Sequence, residues 1–292
     1  MKEHIFNDSE REGQRLDNWL IREYKGVPKS RIQRAVRSGE VRINGKRVKS
    51  EYKLVQGDRI RMPPLRQGER TSAPRLSDRW KQLEQEIIYE DSGLIIINKP
   101  SGIPVHGGTG QNAGIIEALR ELRPQQRFLE LVHRLDRPTS GCLLIAKKRS
   151  YLTCIQEQFT KRTFKKKYLM LVEGAWPKTL RKVELSLKKN VQQSGERMVK
   201  VDAEEGKAAL TEFEVLRQIG DLTLLAGYPK TGRTHQLRVH TAAQGHPILG
   251  DEKYGSGKKA KRLMLHAASV DFYLPDGERI SLCAVLPPDF GV

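Results

Sequence analysis

The stretch over residues 63–84 constrains the fold most. It holds Pro63, Pro64 and Pro74, several charges and few apolar positions. Proline fixes φ and removes a backbone donor, so such a stretch reads as a linker. A chain of 292 residues, at roughly 100–200 residues per domain, then divides into a small module over 14–62 and a larger one over 85–292. Hydrophobic residues make up 37% and charged residues 30%. A chain of this length and composition buries a core without disulfides or a structural metal.

In the small module, Leu16, Trp19, Leu20 and Ile21 recur at helical spacing. After a Gly-Val-Pro break at 26–28, Ser30 is a candidate N-cap for a second helix running to Ser38 and closed by Gly39. Ile32, Ala35 and Val36 give that helix an apolar stripe. Arg31, Arg34 and Arg37 repeat every three residues on another face, with Lys29 just before them. Asn44-Gly45 between Val41-Arg42-Ile43 and Lys46-Arg47-Val48 predicts a hairpin. Alternation over Arg59-Ile60-Arg61-Met62 predicts a third strand.

RLDNWL at 15–20, SRIQRAVRSGEVRINGKRV at 30–48 and GDRIRM at 57–62 resemble an S4 domain. That resemblance implies an RNA-binding module whose basic helix, carrying Lys29, Arg31, Arg34 and Arg37, meets RNA. Taken alone, an arginine face is more often a solvated helix surface. The one-signed stripe gains its meaning beside the fold resemblance.

The texture changes near residue 85. Ile87-Ile88-Tyr89 and Leu94 to Ile97, around Asp91-Ser92-Gly93, predict two strands and a turn. Segments 141–146, 167–173, 211–216, 222–227 and 279–285 are also strand-like, and 113–122, 150–160 and 234–243 read as helices. Strands interspersed irregularly with helices predict an α+β fold with a largely antiparallel sheet.

Charge narrows the partner. Lys plus Arg is 53 against 35 for Asp plus Glu, a formal +18. A field of that sign favours a polyanion, with nucleic acid ahead of an anionic membrane because no long amphipathic basic helix is evident. Three cysteines without a CxxC pair argue against a disulfide framework or zinc ribbon and fit a reducing cytoplasm. The polar N-terminus lacks the apolar core of a secretory signal.

Residues 133–141 read His-Arg-Leu-Asp-Arg-Pro-Thr-Ser-Gly, which by composition is a turn. An aspartate in such a turn is more often structural than catalytic. The wider wording changes that weight. VHRLDRPTSG at 132–141 resembles the signature of RluA-type pseudouridine synthases. INKPSGIPVHGG at 97–108, KKYLMLVEG at 166–174, TGRTHQLRVHTAAQGHPILGDEKYG at 231–255 and LMLHAASVDF at 263–272 resemble its other segments, in the family's order. Pro138 departs from the polar residue expected there, and the chain ends sooner after Phe290 than the resemblance implies, so a distal RNA contact is expected to be missing.

The resemblance implies an isomerase that breaks the N1–C1′ bond of uridine and rejoins the sugar at C5. No atoms are gained or lost, so no cofactor is required. It implies that Asp136 is the carboxylate meeting C1′, as nucleophile or as a base toward the sugar. Arg238 is implied to hold that carboxylate with a bidentate fork, and Tyr168 to stack on the uracil and serve in proton transfer. Arg134 is implied to enter the RNA where the target base has left. Lys165, Lys166 and Lys167, in the basic run 161–167, are expected to follow RNA backbone.

Other patterns are weaker. His235 and His240 lack metalloprotease spacing, so no metal site is expected. His133 suits a structural hydrogen bond. Gly107-Gly108-Thr109-Gly110 lacks a P-loop lysine. The wording of 26–54, 128–137 and 187–197 is similar to the branch acting on several uridines of 23S ribosomal RNA. Large-subunit RNA, free or in assembly intermediates, is therefore the expected partner of a monomeric enzyme. Open alternatives are tRNA or another RNA, a non-catalytic assembly factor, and a nuclease or base hydrolase.

Overall fold

The computed structural model describes residues 3–24, 27, 29–63, 80, 82–107, 114–191, 197–258 and 260–291. The chain forms two compact units, Met1–Ser77 and Asp78–Val292. Most of the expected linker, most of the glycine run at 107–110 and the Lys29 side chain lie outside the described residues.

The first unit holds β1 (Glu3–Ile5), α1 (Leu16–Glu23), α2 (Lys29–Ser38), β2 (Arg42–Ile43) and β3 (Arg59–Arg61), with strand order β1-β3-β2. Leu16, Trp19 and Leu20 from α1 meet Ile32, Ala35 and Val36 from α2 in one buried cluster with Ile43 and Ile60. The apolar stripes therefore face as their spacing predicts. Ser30 lies inside α2 and not at its N-cap, because the helix begins one residue earlier. Asn44 and Gly45 both take positive φ, 50° and 77°, which a tight hairpin turn requires. The arm after that turn is a correction: Lys46 makes one bridge to Ile43, and β2 pairs along its length with β3 instead.

The second unit contains β4 (Ile87–Glu90), β5 (Leu94–Lys99), α3 (Ile115–Leu122), β6 (Glu130–Leu131), β7 (Ser140–Ala146), α4 (Arg149–Lys161), β8 (Lys165–Glu173), β9 (Lys182–Val191), β10 (Arg197–Val201), β11 (Lys207–Ile219), β12 (Leu222–Pro229), α5 (Gln236–Ala243), β13 (Leu265–Tyr273) and β14 (Arg279–Cys283). Among the described residues these strands form one 11-stranded sheet. Its main path runs β10-β9-β11-β12-β8-β13-β7-β5-β4, with β14 on β13 and β6 on β7. Only the β13–β7 pair is parallel among the described pairings, so the expected α+β fold with a mainly antiparallel sheet holds. Apolar clusters pack on the sheet, two of them built around helices α4 and α5. Leu152 and Ile155 of α4 join Leu144, Phe164 and Phe272, and Leu237 of α5 joins Met170, Phe213 and Leu225. No described helix is long and apolar enough to cross a membrane.

The centre of the sheet positions the site. Ala267 of β13 is paired with Tyr168 of β8 on one side and with Gly141 of β7 on the other. One strand thus brings the end of the 133–141 loop and the Tyr168 strand within two strand spacings, roughly 10 Å. Gly141 is required there. Its φ is +106°, and a Cβ would come within 2.2 Å of the Ala267 carbonyl oxygen.

Candidate active site

Asp136 stands on a loop fixed at its backbone. The Thr139 N–H donates to the Asp136 carbonyl at 3.1 Å, closing a turn. The 99–103 segment braces the following residues. Gly102 N–H donates to the Arg137 carbonyl at 2.9 Å, Arg137 Nε returns to the Gly102 carbonyl at 3.1 Å, and Ser101 Oγ donates to the Pro138 carbonyl at 2.7 Å. Lys99 is fully buried. Its Nζ donates to the carbonyls of Pro100, Ile103 and Arg137 at 2.8, 2.8 and 3.1 Å, so the buried ammonium is met by peptide dipoles. His133 accepts the Leu144 N–H at Nε2, 3.2 Å. Burial, and then the nearby Lys166 charge, press its pKa down to about 3. It is a neutral structural acceptor.

The Asp136 side chain, 28% exposed, faces the first turn of α5. Oδ2 lies 3.6 Å from Arg238 Nη1, and Oδ1 lies 3.9 Å from His235 Nε2. Arg238 is only 4% exposed. Its fork is taken by Asp251, with Nε and Nη2 each 2.7 Å from a carboxylate oxygen. Burial alone would raise the Asp251 pKa. The Arg238 fork and the N–H groups of Lys253 and Tyr254 outweigh it and hold the carboxyl below its ordinary range. Burial likewise opposes the Arg238 charge, and Asp251 restores it. The turn before α5 is pinned by buried Gln236. Its Oε1 accepts from Thr231 Oγ1 and Arg233 N–H, and its Nε2 donates to the Leu210 carbonyl at 3.0 Å. His235, with φ +53°, leaves that turn in left-handed geometry. Its Nδ1 is 2.8 Å from Tyr254 Oη, and when Tyr254 donates there the ring's proton sits on Nε2, facing Asp136.

The opposite wall is β8. Lys166 and Tyr168, two residues apart, share one strand face and line a cleft of about 630 Å³ with Arg134, Asp136, His235 and Arg238. Burial, and then the Asp136 charge, push the Tyr168 phenol above its ordinary pKa, so it keeps its proton in the resting site. Burial pulls the Lys166 ammonium down to about 8.

A carboxylate beside a buried guanidinium, in a nucleotide-sized cleft faced by a tyrosine, now stands with a family match. Residues 93–243 match the model for RNA pseudouridylate synthase, and residues 14–60 match the S4 domain. The chain belongs to the RNA pseudouridylate synthase family. Ribosomal large subunit pseudouridine synthase C of Haemophilus influenzae is 52% identical to it, over 94% of this chain and 88% of that one. The protein of the same name from Escherichia coli is 50% identical, over 90% and 86%. A solved structure of human RNA pseudouridylate synthase domain containing 4 superposes with a TM-score of 0.60 at 28% identity, covering 73% of this chain and 93% of that one.

This pseudouridine synthase is an isomerase, and its cleft gathers most of the residues singled out in the sequence. Asp136, Tyr168, Arg238, Arg134, Lys165 and Lys166 line it; Lys167 does not. Arg134 is exposed and makes no ion pair among the described residues. The expected fork on Asp136 is corrected, since Arg238 spends its fork on Asp251 and turns only Nη1 to Asp136. The basic stripe of α2 is corrected in part. Arg34 and Arg37 are exposed, but Arg31 is held by Glu40, with Nη1 and Nη2 at 3.2 and 2.8 Å from its carboxylate. Asp251 and Tyr254 were missed. Both lie in Gly250-Asp251-Glu252-Lys253-Tyr254-Gly255, where an acid and an aromatic between glycines offered the available signal.

Proposed function

We propose that this enzyme converts uridines of 23S ribosomal RNA to pseudouridine, with Asp136 as the carboxylate that meets the sugar. The observation that carries the chemical part is Asp136 itself, on a loop with a braced backbone and with Oδ2 at 3.6 Å from the buried Arg238. Support for the RNA comes from the relatives named as ribosomal large subunit synthases at 52% and 50% identity.

In this reading Arg238 aims Asp136 at the sugar, while Arg134 fills the gap left by the extruded base. Tyr168 stacks on the uracil. One cause of its raised pKa, the Asp136 charge, disappears once that carboxylate has bonded to the sugar or taken a proton. The phenol then becomes a better proton carrier for the last step, loss of the C5 proton. The module over 14–62 binds RNA through Arg34 and Arg37, joined to the catalytic domain over 85–292 by the linker 63–84. The enzyme acts as a monomer in the cytoplasm, where its free Cys154 and Cys283 stay reduced.

The test is to treat unmodified large-subunit RNA, small-subunit RNA and tRNA with the protein and map pseudouridines by carbodiimide-dependent stops in reverse transcription. Stops confined to large-subunit RNA are expected. Stops in tRNA alone would overturn the substrate.

A further inference from the structure

Lys166 does not fit the role of a lysine that tracks phosphates. Its side chain is half-buried, whereas that of Lys165 is exposed. It shares the cleft-facing side of β8 with Tyr168. Its neighbours are rings: Nζ lies 5.2 Å from the Phe159 centroid, and neutral His133 is close enough to feel its charge. Burial alone accounts for its lowered pKa, with no carboxylate countering it. The protein has therefore drawn an ammonium partly out of water, and among the described residues it forms no ion pair.

The reaction supplies one. When the N1–C1′ bond breaks, its electron pair stays on the uracil, whose negative charge spreads over the ring nitrogens and O2 and O4. Asp136 answers the electron deficiency at the sugar. The C5=C6 π electrons of that anion then form the C5–C1′ bond, releasing Asp136 from the sugar where it has bonded there. As the C5 proton leaves, N1 takes up a proton, so atoms and charge balance. A donor placed where charge develops acts on the transition state more than on bound uridine.

We propose that Lys166 is a catalytic residue that donates to the uracil as it leaves the sugar and stabilises the uracil anion between the two bonds. This role rests on the uridine-isomerising reading and adds a leaving-group catalyst to it.

The test compares single-turnover rates of the full chain on RNA carrying uridine or 5-fluorouridine at the target. Fluorine withdraws charge, so the ring departs with less help. Loss of the N-linked nucleoside is read by digestion and mass spectrometry. Lys166→Met should slow uridine conversion about 10²-fold, the cost of removing one such donor, and slow fluorouridine conversion less than about tenfold. RNA affinity and its salt dependence should stay near parental values. Lys166→Arg should recover at least about tenfold of the uridine rate. Methionine removes the cost of desolvating a charge, so the unfolding temperature should not fall. An equal deficit on both RNAs would overturn the proposal. So would an intact saturated rate with weaker binding and a salt slope lower by about one, which marks a phosphate contact. A parent protein that converts neither RNA would count against the isomerase reading itself.

Discussion

The two walls of the cleft hold their polar groups in opposite ways. On the α5 wall the two side chains that face Asp136 have partners inside the protein: Arg238 is forked by Asp251, and His235 is held by Tyr254. On the β8 wall, the side chains of Lys166 and Tyr168 make no hydrogen bond to a described residue, and their pKa values move in the directions burial dictates. The α5 wall fixes the geometry of Asp136 before RNA arrives. The β8 wall keeps donors whose partner is the substrate. Preorganised charge on one side and unspent donors on the other are what a reaction with a transient ring anion needs.

The comparison breaks most severely at Asp251. Asp251→Ala strips both fork hydrogen bonds from a buried guanidinium and leaves it only Asp136 at 3.6 Å, and loss of one partner of a buried pair costs about 3–5 kcal/mol. Denaturant unfolding of the full chain should show a loss of that size. A loss below about 1 kcal/mol would mean that Arg238 holds itself without the fork.

The elements behind the two walls should also titrate in separate pH windows. His240, on α5, is fully buried, and neither ring nitrogen has a partner among the described residues. Burial lowers its pKa to about 4. The unfolded ring binds a proton below about 6.5 and the folded one does not. Stability from this group is therefore full above about 6.5 and is lost as pH falls toward 4. His240→Leu should make the acid limb of stability against pH shallower by about 1.4 kcal/mol per pH unit. An unchanged limb would contradict the neutral burial. Lys166 has the same sign of slope in a higher window. Its folded pKa of about 8 lies below its unfolded value, so stability should rise with pH from about 8 to 10.5. That rise should vanish in Lys166→Met, and a persisting rise would put the effect elsewhere.

The smallest effect carries the same distinction between spent and unspent cations into the first unit. Arg34→Ala should lower the slope of log affinity against log salt by about one, while Arg31→Ala, whose guanidinium Glu40 already occupies, should change it less. Equal changes would erase the distinction.

Much of this was legible in the sequence where the signal is local. The periodicity of α1 and α2, the Asn44-Gly45 turn, and the strands around Leu94 to Ile97 and 141–146 depend on neighbours in the chain. So does the loop holding Asp136, once its wording is matched to a family. The rest depends on distant partners. Asp251 meets Arg238 only because the chain returns to α5 after 13 positions. Arg31 reads as part of a one-signed face until Glu40, beyond the helix end, folds back on it. In β9, Val183, Leu185 and Leu187 alternate with polar residues, a signal that the lysines at 188 and 189 interrupt. β1 has three residues, all exposed, and exists through its pairing with β3.

The central claim is that Asp136 drives isomerisation of uridine. It is tested most directly by tritium release from large-subunit RNA labelled at uridine C5, comparing the parent with Asp136→Asn. Asparagine keeps the shape and removes the charge. The account predicts release by the parent and none by the variant, with RNA affinity preserved. Release by the variant at the parental rate, or no release by the parent, would contradict it.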